Sequence, residues 1–187
     1  MRVIAGSARR LKLLAPKGMA TRPTRDKVKE TLFNILAPEL YDASFLDLFA
    51  GSGGIGIEAL SRGAKSCTFI EKDKEAVNCI KKNLETTHFT DKSLVLAHDV
   101  LTSLYNLHPL ECYDIIFMDP PYDSGFEKQV LSILTRLDII NEDTLIIIEA
   151  AEDTDFAFAA GLGFTVARIK EYKNNKHVFL RLSSSEE

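Results

Sequence analysis

Cysteine, histidine and long apolar runs are all scarce in this 187-residue chain, and each scarcity removes a class of protein. The three cysteines, Cys67, Cys79 and Cys112, are odd in number, widely spaced and set in apolar or helical patterns. They read as isolated thiols, not as a disulfide framework or a metal site. The four histidines are scattered without zinc-ligand spacing to any cysteine, so no metal is expected. No apolar stretch nears the roughly 20 residues that cross a bilayer, and Arg2 opens a short amphipathic segment with no signal-peptide core behind it. A cytoplasmic protein is expected. Internal repeats and long linkers are missing too, and a hydrophobic content of 45% suffices for one substantial core. The expectation is a monomeric chain with a leading extension over residues 1–43, one catalytic domain over 44–183 and a disordered polar tail over 184–187.

The net charge of -4 hides an asymmetry. Residues 1–36 hold nine basic side chains against Asp26 and Glu30, a local charge of +7, which leaves -11 on the remainder. A basic leading segment on an acidic body is the footprint of a localised polyanion contact, because phosphate binding depends on local potential and not on the mean. Arg9, Arg10, Arg22, Arg25 and Lys27 are the candidate phosphate contacts.

Met1 to Ala5 and Leu11 to Leu14 flank Gly6-Ser7-Ala8-Arg9-Arg10 and read as a basic-tipped hairpin. From Thr21 to Leu36 the residues Val28, Leu32, Ile35 and Leu36 fall on one helical stripe, with Thr24 as N-cap, Arg25, Lys29 and Glu30 toward water, and Pro38 ending the helix. Strand candidates Phe45–Phe49, Cys67–Ile70, Leu94–Ala97, Ile115–Met118 and Leu145–Ile148 then alternate with helical stretches near 54–62, 74–86, 100–107 and 126–137. Strict alternation predicts an α/β fold: a parallel sheet with helices on both faces. Two consecutive strands, Phe164–Tyr172 and His177–Leu182, close the chain as a hairpin whose last strand runs antiparallel.

Chemistry concentrates at the strand ends. Asp119-Pro120-Pro121-Tyr122 follows the buried run Ile115–Met118, at the edge of an open sheet where ligands bind. The proline pair fixes two φ angles, holding a carboxylate, a backbone carbonyl and an aromatic ring in one rigid turn. Such a turn suits a flat base bearing an amino group: two acceptors for the NH2 protons and a ring to stack on the face. Gly51, Gly53 and Gly56 follow the first strand as G-x-G-x-x-G, which fits any dinucleotide-like ligand, and Glu71 lies where a carboxylate can accept ribose hydroxyls. Asp47, just before the glycine turn, would repel a pyrophosphate but attract a cationic ammonium. Asp99 can accept from an adenine amino group, with the Val100 amide beside it. Four acids at four successive strand ends outline a cleft for a cationic adenosyl ligand, S-adenosylmethionine.

These residues resemble class I S-adenosylmethionine-dependent methyltransferases acting on the exocyclic amino groups of bases. Arg22-Pro-Thr, the segment Arg25 to Asn34, and Gly51 to Arg62 with its closing Glu-Ala-Leu-Ser-Arg resemble more closely the bacterial 16S ribosomal RNA guanine-N2 methyltransferases of the RsmD type, from Met1 to about Arg181. The resemblance implies a Rossmann-like domain with a seven-stranded sheet, and a cofactor held by Asp47, Gly51, Gly53, Glu71, Lys72, Asp99 and Val100 with Thr24 and Asn34 from the leading helix. It also implies catalysis at Asp119, Pro120, Pro121 and Tyr122, and a guanine presented on the small ribosomal subunit or its assembly intermediate together with ribosomal proteins. An adenine-N6 methyltransferase shares the Pro-Pro-Tyr turn but commonly adds a larger target-reading region than residues 1–43 offer. A nicotinamide oxidoreductase accounts for the glycine loop alone, and a non-catalytic RNA-binding assembly factor does not need Asp119 and Tyr122.

Overall fold

A computed structural model describes residues 1–16, 23–107, 112–122 and 124–183, without the side chains of residues 23–25. Seven strands form one sheet in the order β3-β2-β1-β4-β5-β7-β6. They are β1 (Ser44–Leu48), β2 (Ser66–Ile70), β3 (Ser93–Leu96), β4 (Ile115–Met118), β5 (Leu145–Ala151), β6 (Phe164–Glu171) and β7 (Asn175–Leu182). β1 to β5 pair in parallel, and only β7 runs against its neighbours β5 and β6. The switch point lies between β1 and β4, so the crevice above it opens at the carboxyl ends of both strands.

β4 is a continuous apolar run and β1 is one interrupted only by Asp47 after Ser44, because both faces of these central strands are covered. One face carries Phe45, Phe117, Ile147 and Phe179 beneath α1 (Pro23–Leu40), α2 (Gly54–Ser61) and α3 (Lys74–Thr87). The other carries Leu46, Leu48, Ile116, Met118 and Ile148 beneath α4 (Val100–Tyr105), α5 (Phe126–Leu134) and α6 (Phe158–Gly161). Among the described residues no helix is long and apolar enough to cross a membrane.

The alternation predicted from sequence holds, including the antiparallel last strand, and the departures have physical causes. α1 runs through Pro38 to Leu40 because Leu32, Leu36 and Leu40 form one buried stripe, and a proline so near the end removes a single intrahelical bond. Pro23 takes the first helical position, where its missing N–H costs nothing, so Thr24 lies inside the first turn and is not the N-cap. Lys29, expected toward water, is buried: its Nζ donates to the Arg2 carbonyl at 2.7 Å and pairs with Glu58 at 3.1 Å. The leading hairpin is reduced to one bridge, Arg2 to Lys12, and α6 was not foreseen because four residues are too few for a periodic signal. The expected tail, residues 184–187, lies outside the described residues.

Candidate active site

The glycine loop takes its shape from positive φ at Phe49 (60°), Gly51 (55°) and Gly53 (78°), which turns the chain from β1 into α2. Two of its glycines serve opposite purposes. A Cβ on Gly56 would meet the Phe69 ring at 2.4 Å and the Cys67 sulfur at 2.5 Å, so α2 reaches β2 only because that position is bare. A Cβ on Gly51 would meet nothing within 4 Å, so its bareness leaves open space at the rim instead of packing.

Acid side chains tie this loop together. The Asp47 carboxylate, only 1% exposed, accepts from the Gly56 N–H at 2.9 Å. Burial pushes its pKa up to about 7, against the Gly56 hydrogen bond, and the nearby charges of Asp119 and Glu71 push the same way as burial. Glu71 accepts from the Gly51 N–H and the Asp73 N–H, both at 2.8 Å, and so bridges the loop after β1 to the start of α3. Lys72 beside it is exposed. Asp99 accepts from the Thr102 N–H at 2.9 Å as N-cap of α4, which begins at the buried Val100, and those contacts at Thr102 lower its pKa. The carboxylates named from sequence for the cofactor are thus built into turns and caps of the strand ends they were expected to mark.

Asp119 is exposed directly after β4, Pro120 is buried, Pro121 is exposed, and Tyr122 is 51% exposed. The Pro121 carbonyl accepts from the Ser124 hydroxyl, tightening the turn from its far side. Phe49 meets Phe126 edge-on at 5.2 Å, so the glycine loop packs against the helix that leaves this turn. Asp47 and Asp119 are close enough for their charges to interact, which brings the glycine loop and the proline turn into one site. A cleft at β6, lined by Phe156, Phe164, Val166 and Ile169 with Asp155 and Lys176 among its polar groups, is separate from these acids.

The leading segment lies along α2. Ile4 and Ala5 donate to Glu58 at 2.8 and 3.0 Å, the Ser7 N–H donates to the Ser61 carbonyl at 2.8 Å, and the Leu14 N–H donates to Asn83 at 2.7 Å. Asn83 also donates to the Leu14 and Ser52 carbonyls, so one buried amide on α3 holds both this segment and the glycine loop. Arg9 and Arg10 are exposed at the tip, Arg10 with φ 72°, beside the end of α2 remote from the glycine loop. Lys27 and Asn34 are exposed on α1; Arg22 and the side chains of Thr24 and Arg25 lie outside the described residues. Sequence reading gave no role to Asn83 or Glu58. Their signal was a polar residue inside an apolar stripe: Asn83 between Ile80 and Leu84, and Glu58 between Ile57 and Ala59.

Among the described residues no cluster of His, Cys, Asp and Glu could hold a metal ion. The chain is 40% identical over 154 residues to ribosomal RNA small subunit methyltransferase D of Haemophilus influenzae, covering 82% of this chain and 80% of the relative. The solved structure of Escherichia coli yhhF superposes with a TM-score of 0.83 at 31% identity, covering 99% of both chains. SMU.776, solved complexed with SAH, shares the fold at 18% identity and TM-score 0.65, over 87% of this chain and 50% of that one. The model of the family described as conserved hypothetical protein 95 matches residues 1–181. On these grounds, with a β3-β2-β1-β4-β5-β7-β6 sheet of the class I methyltransferase kind, the chain belongs to that family, the RsmD family of methyltransferases.

Proposed function

We propose that this protein transfers a methyl group from S-adenosylmethionine to the exocyclic N2 of a guanine in 16S ribosomal RNA. The observation that carries the reading is the Asp119–Tyr122 turn, set level with the glycine loop across the β1–β4 switch point in a chain similar to a small-subunit RNA methyltransferase. S-adenosylmethionine, when bound, supplies an electrophilic methyl on a cationic sulfonium. The rim suits such a ligand: acids end β1, β2, β4 and the segment after β3, and Gly51 leaves open space beside them. Glu71, Asp99, Val100, Gly51 and Gly53 are the groups to hold the adenosyl part, with Lys72 beside them. Asp47, Asn34 and Thr24 belong to the methionyl side, Asp47 acting mainly through the loop it braces.

At the proline turn the chemistry is one of orientation. An amino nitrogen conjugated to a purine is a poor nucleophile because its lone pair is delocalised. Asp119 and the Pro120 carbonyl accept the two amino protons and help localise that pair, while Tyr122 stacks on the base, a contact worth about 1 to 3 kcal/mol. The guanine must be splayed out of any helix to reach them. The nitrogen then forms its bond to the methyl carbon as the carbon–sulfur bond breaks, and the amino group gives up one proton to water. Positioning and fixed acceptors account for most of the rate gain. Arg9, Arg10, Arg22, Arg25 and Lys27 hold phosphates of the RNA on the small subunit or its assembly intermediate.

Replacing Asp119 by Ala tests this assignment. Methyl transfer into small ribosomal subunits should disappear while S-adenosylmethionine affinity, measured by calorimetry, stays within about threefold, since the residue orients substrate and not cofactor. Intact turnover in that variant would remove the assignment.

A further inference from the structure

A second polar cluster lies on the strand next to the proline turn. β4 and β5 are parallel with Met118 opposite Ile148, and continuing that register by one residue brings Glu149 level with Asp119, at the interstrand spacing of about 4.8 Å. Side chains alternate along strands, so Glu149 in β5 shares a face with Ile147 on the α1 side of the sheet, and Asp119 is the first residue beyond β4, two after Phe117 of that same face. The two residues therefore stand on adjacent strand ends at the same rim of the sheet. Around Glu149 every described contact is a donor. The Asn175 side-chain amide donates to its Oε1 at 2.5 Å, and His177 Nε2 lies 3.2 Å from its Oε2. His177 is 1% exposed, and its Nδ1 lies 3.1 Å from the Tyr172 hydroxyl. With Tyr172 donating to Nδ1, Nε2 carries the proton and donates to Glu149. Burial first, and then the Glu149 charge, push the Tyr172 pKa up to about 12, which keeps that hydroxyl protonated as the donor. The His177 ring also packs edge-on against Phe117 at 6.1 Å, tying the cluster to the strand that carries Asp119. Glu149 itself keeps 21% of its side-chain surface open. A buried histidine, a tyrosine and an asparagine thus hold one acceptor-only group beside the site of methyl transfer.

We propose that Glu149 reads the Watson–Crick edge of the target base, its carboxylate accepting the N1–H that guanine carries and adenine lacks, with His177, Tyr172 and Asn175 as positioning residues. The inference rests on the guanine-N2 reading above and adds the group that selects the base. In guanine the N1–H lies beside the 2-amino group on one edge, so acceptors on adjacent strands can take both at once, each across a hydrogen bond of about 2.9 Å. Adenine would turn the N1 lone pair toward the carboxylate, and a site built to accept an N–H rejects a base that offers a lone pair instead.

The test uses small subunits reconstituted with 16S RNA carrying either guanine or 2-aminopurine at the methylated position. 2-Aminopurine keeps the 2-amino group and loses the N1–H together with the 6-oxo group, so it is the change of preference in Glu149 variants that assigns the loss to N1. The native enzyme should methylate guanine roughly 10- to 100-fold faster in kcat/KM than 2-aminopurine, the range for one hydrogen bond to a charged group. In Glu149→Gln and Glu149→Ala the preference should shrink to within about threefold, with most of the loss falling on the guanine substrate. Calorimetry with S-adenosylmethionine and thermal unfolding serve as controls, and Glu149→Gln keeps the size of the side chain should Glu149→Ala fold poorly. A purely structural role would lower both rates together and leave their ratio unchanged, which would overturn the role given to Glu149. Failure of the native enzyme to make N2-methylguanosine at all would instead remove the guanine reading on which it rests.

Discussion

At the scale of single residues, the site is a set of carboxylates whose environments set them apart. Asp47 is buried with a pKa of about 7, whereas Asp99 is exposed, caps a helix and is lowered. Because the folded chain holds the Asp47 proton more tightly than an unfolded chain would, Asp47 contributes stability at low pH that is lost as the pH rises through about 7. Asp47→Asn, which keeps the shape, should flatten the fall in stability between the ordinary carboxylate range and pH 7, measured by urea unfolding at a series of pH values. On the proposed function the same proton couples to the cofactor. A cation arriving near Asp47 favours its ionised form, so S-adenosylmethionine affinity should rise with pH up to about 7 and level off above it, with proton release visible by calorimetry in buffers of different ionisation enthalpy. A pH-independent affinity would disconnect Asp47 from the ligand. The positions of the Asp119–Tyr122 turn and of the glycine loop could be read from sequence because local rules mark them: a proline pair after an apolar run, and glycine after a strand. Glu149 and His177 could not, since their meeting depends on β5 pairing with β7, a partner 28 residues away.

Among the elements, α2 sets the shape of the glycine loop, and two contacts hold it. Its face toward β2 is bare at Gly56, so Gly56→Ala should overpack the Phe69–Cys67 contact and cost about 1 to 3 kcal/mol in denaturant unfolding, with weakened cofactor binding. Its opposite side is anchored by Glu58, fully buried, which accepts from Ile4, Ala5, Lys29 and Arg62. Removing that carboxylate strands Lys29, whose burial already lowers its pKa, and leaves two backbone N–H groups without their acceptor. Glu58→Ala should therefore destabilise by about 3 to 5 kcal/mol, the cost of breaking a buried pair from one side, and release the leading segment to proteases. A loss below about 1 kcal/mol would show that the pair is not shielded from water. Element type and order were legible from hydrophobic periodicity, while the ends of α1 were not. Pro38 is a local stop signal, and burial of Leu40 overrides it.

For the whole molecule, the charge asymmetry has acquired a geometry. The leading segment follows α2 from Met1, against Gly54 near the glycine loop, to Arg9 and Arg10 at the far end, about 10 Å along the helix at 1.5 Å per residue. If these two arginines hold phosphates, the RNA is gripped at a distance from the base being modified. Replacing both by Ala should then reduce the slope of log affinity against log salt by about 1.4 to 1.8 and leave the rate at saturating substrate unchanged. An unaltered slope would place the phosphate contacts elsewhere on the basic segment. The measurement that bears most directly on the proposed function is transfer of labelled methyl from S-adenosylmethionine into small ribosomal subunits from cells lacking this enzyme, followed by nucleoside analysis of the RNA. The account predicts label in N2-methylguanosine of 16S RNA. Label in N6-methyladenosine, or tight cofactor binding with no transfer to any small-subunit particle, would contradict it.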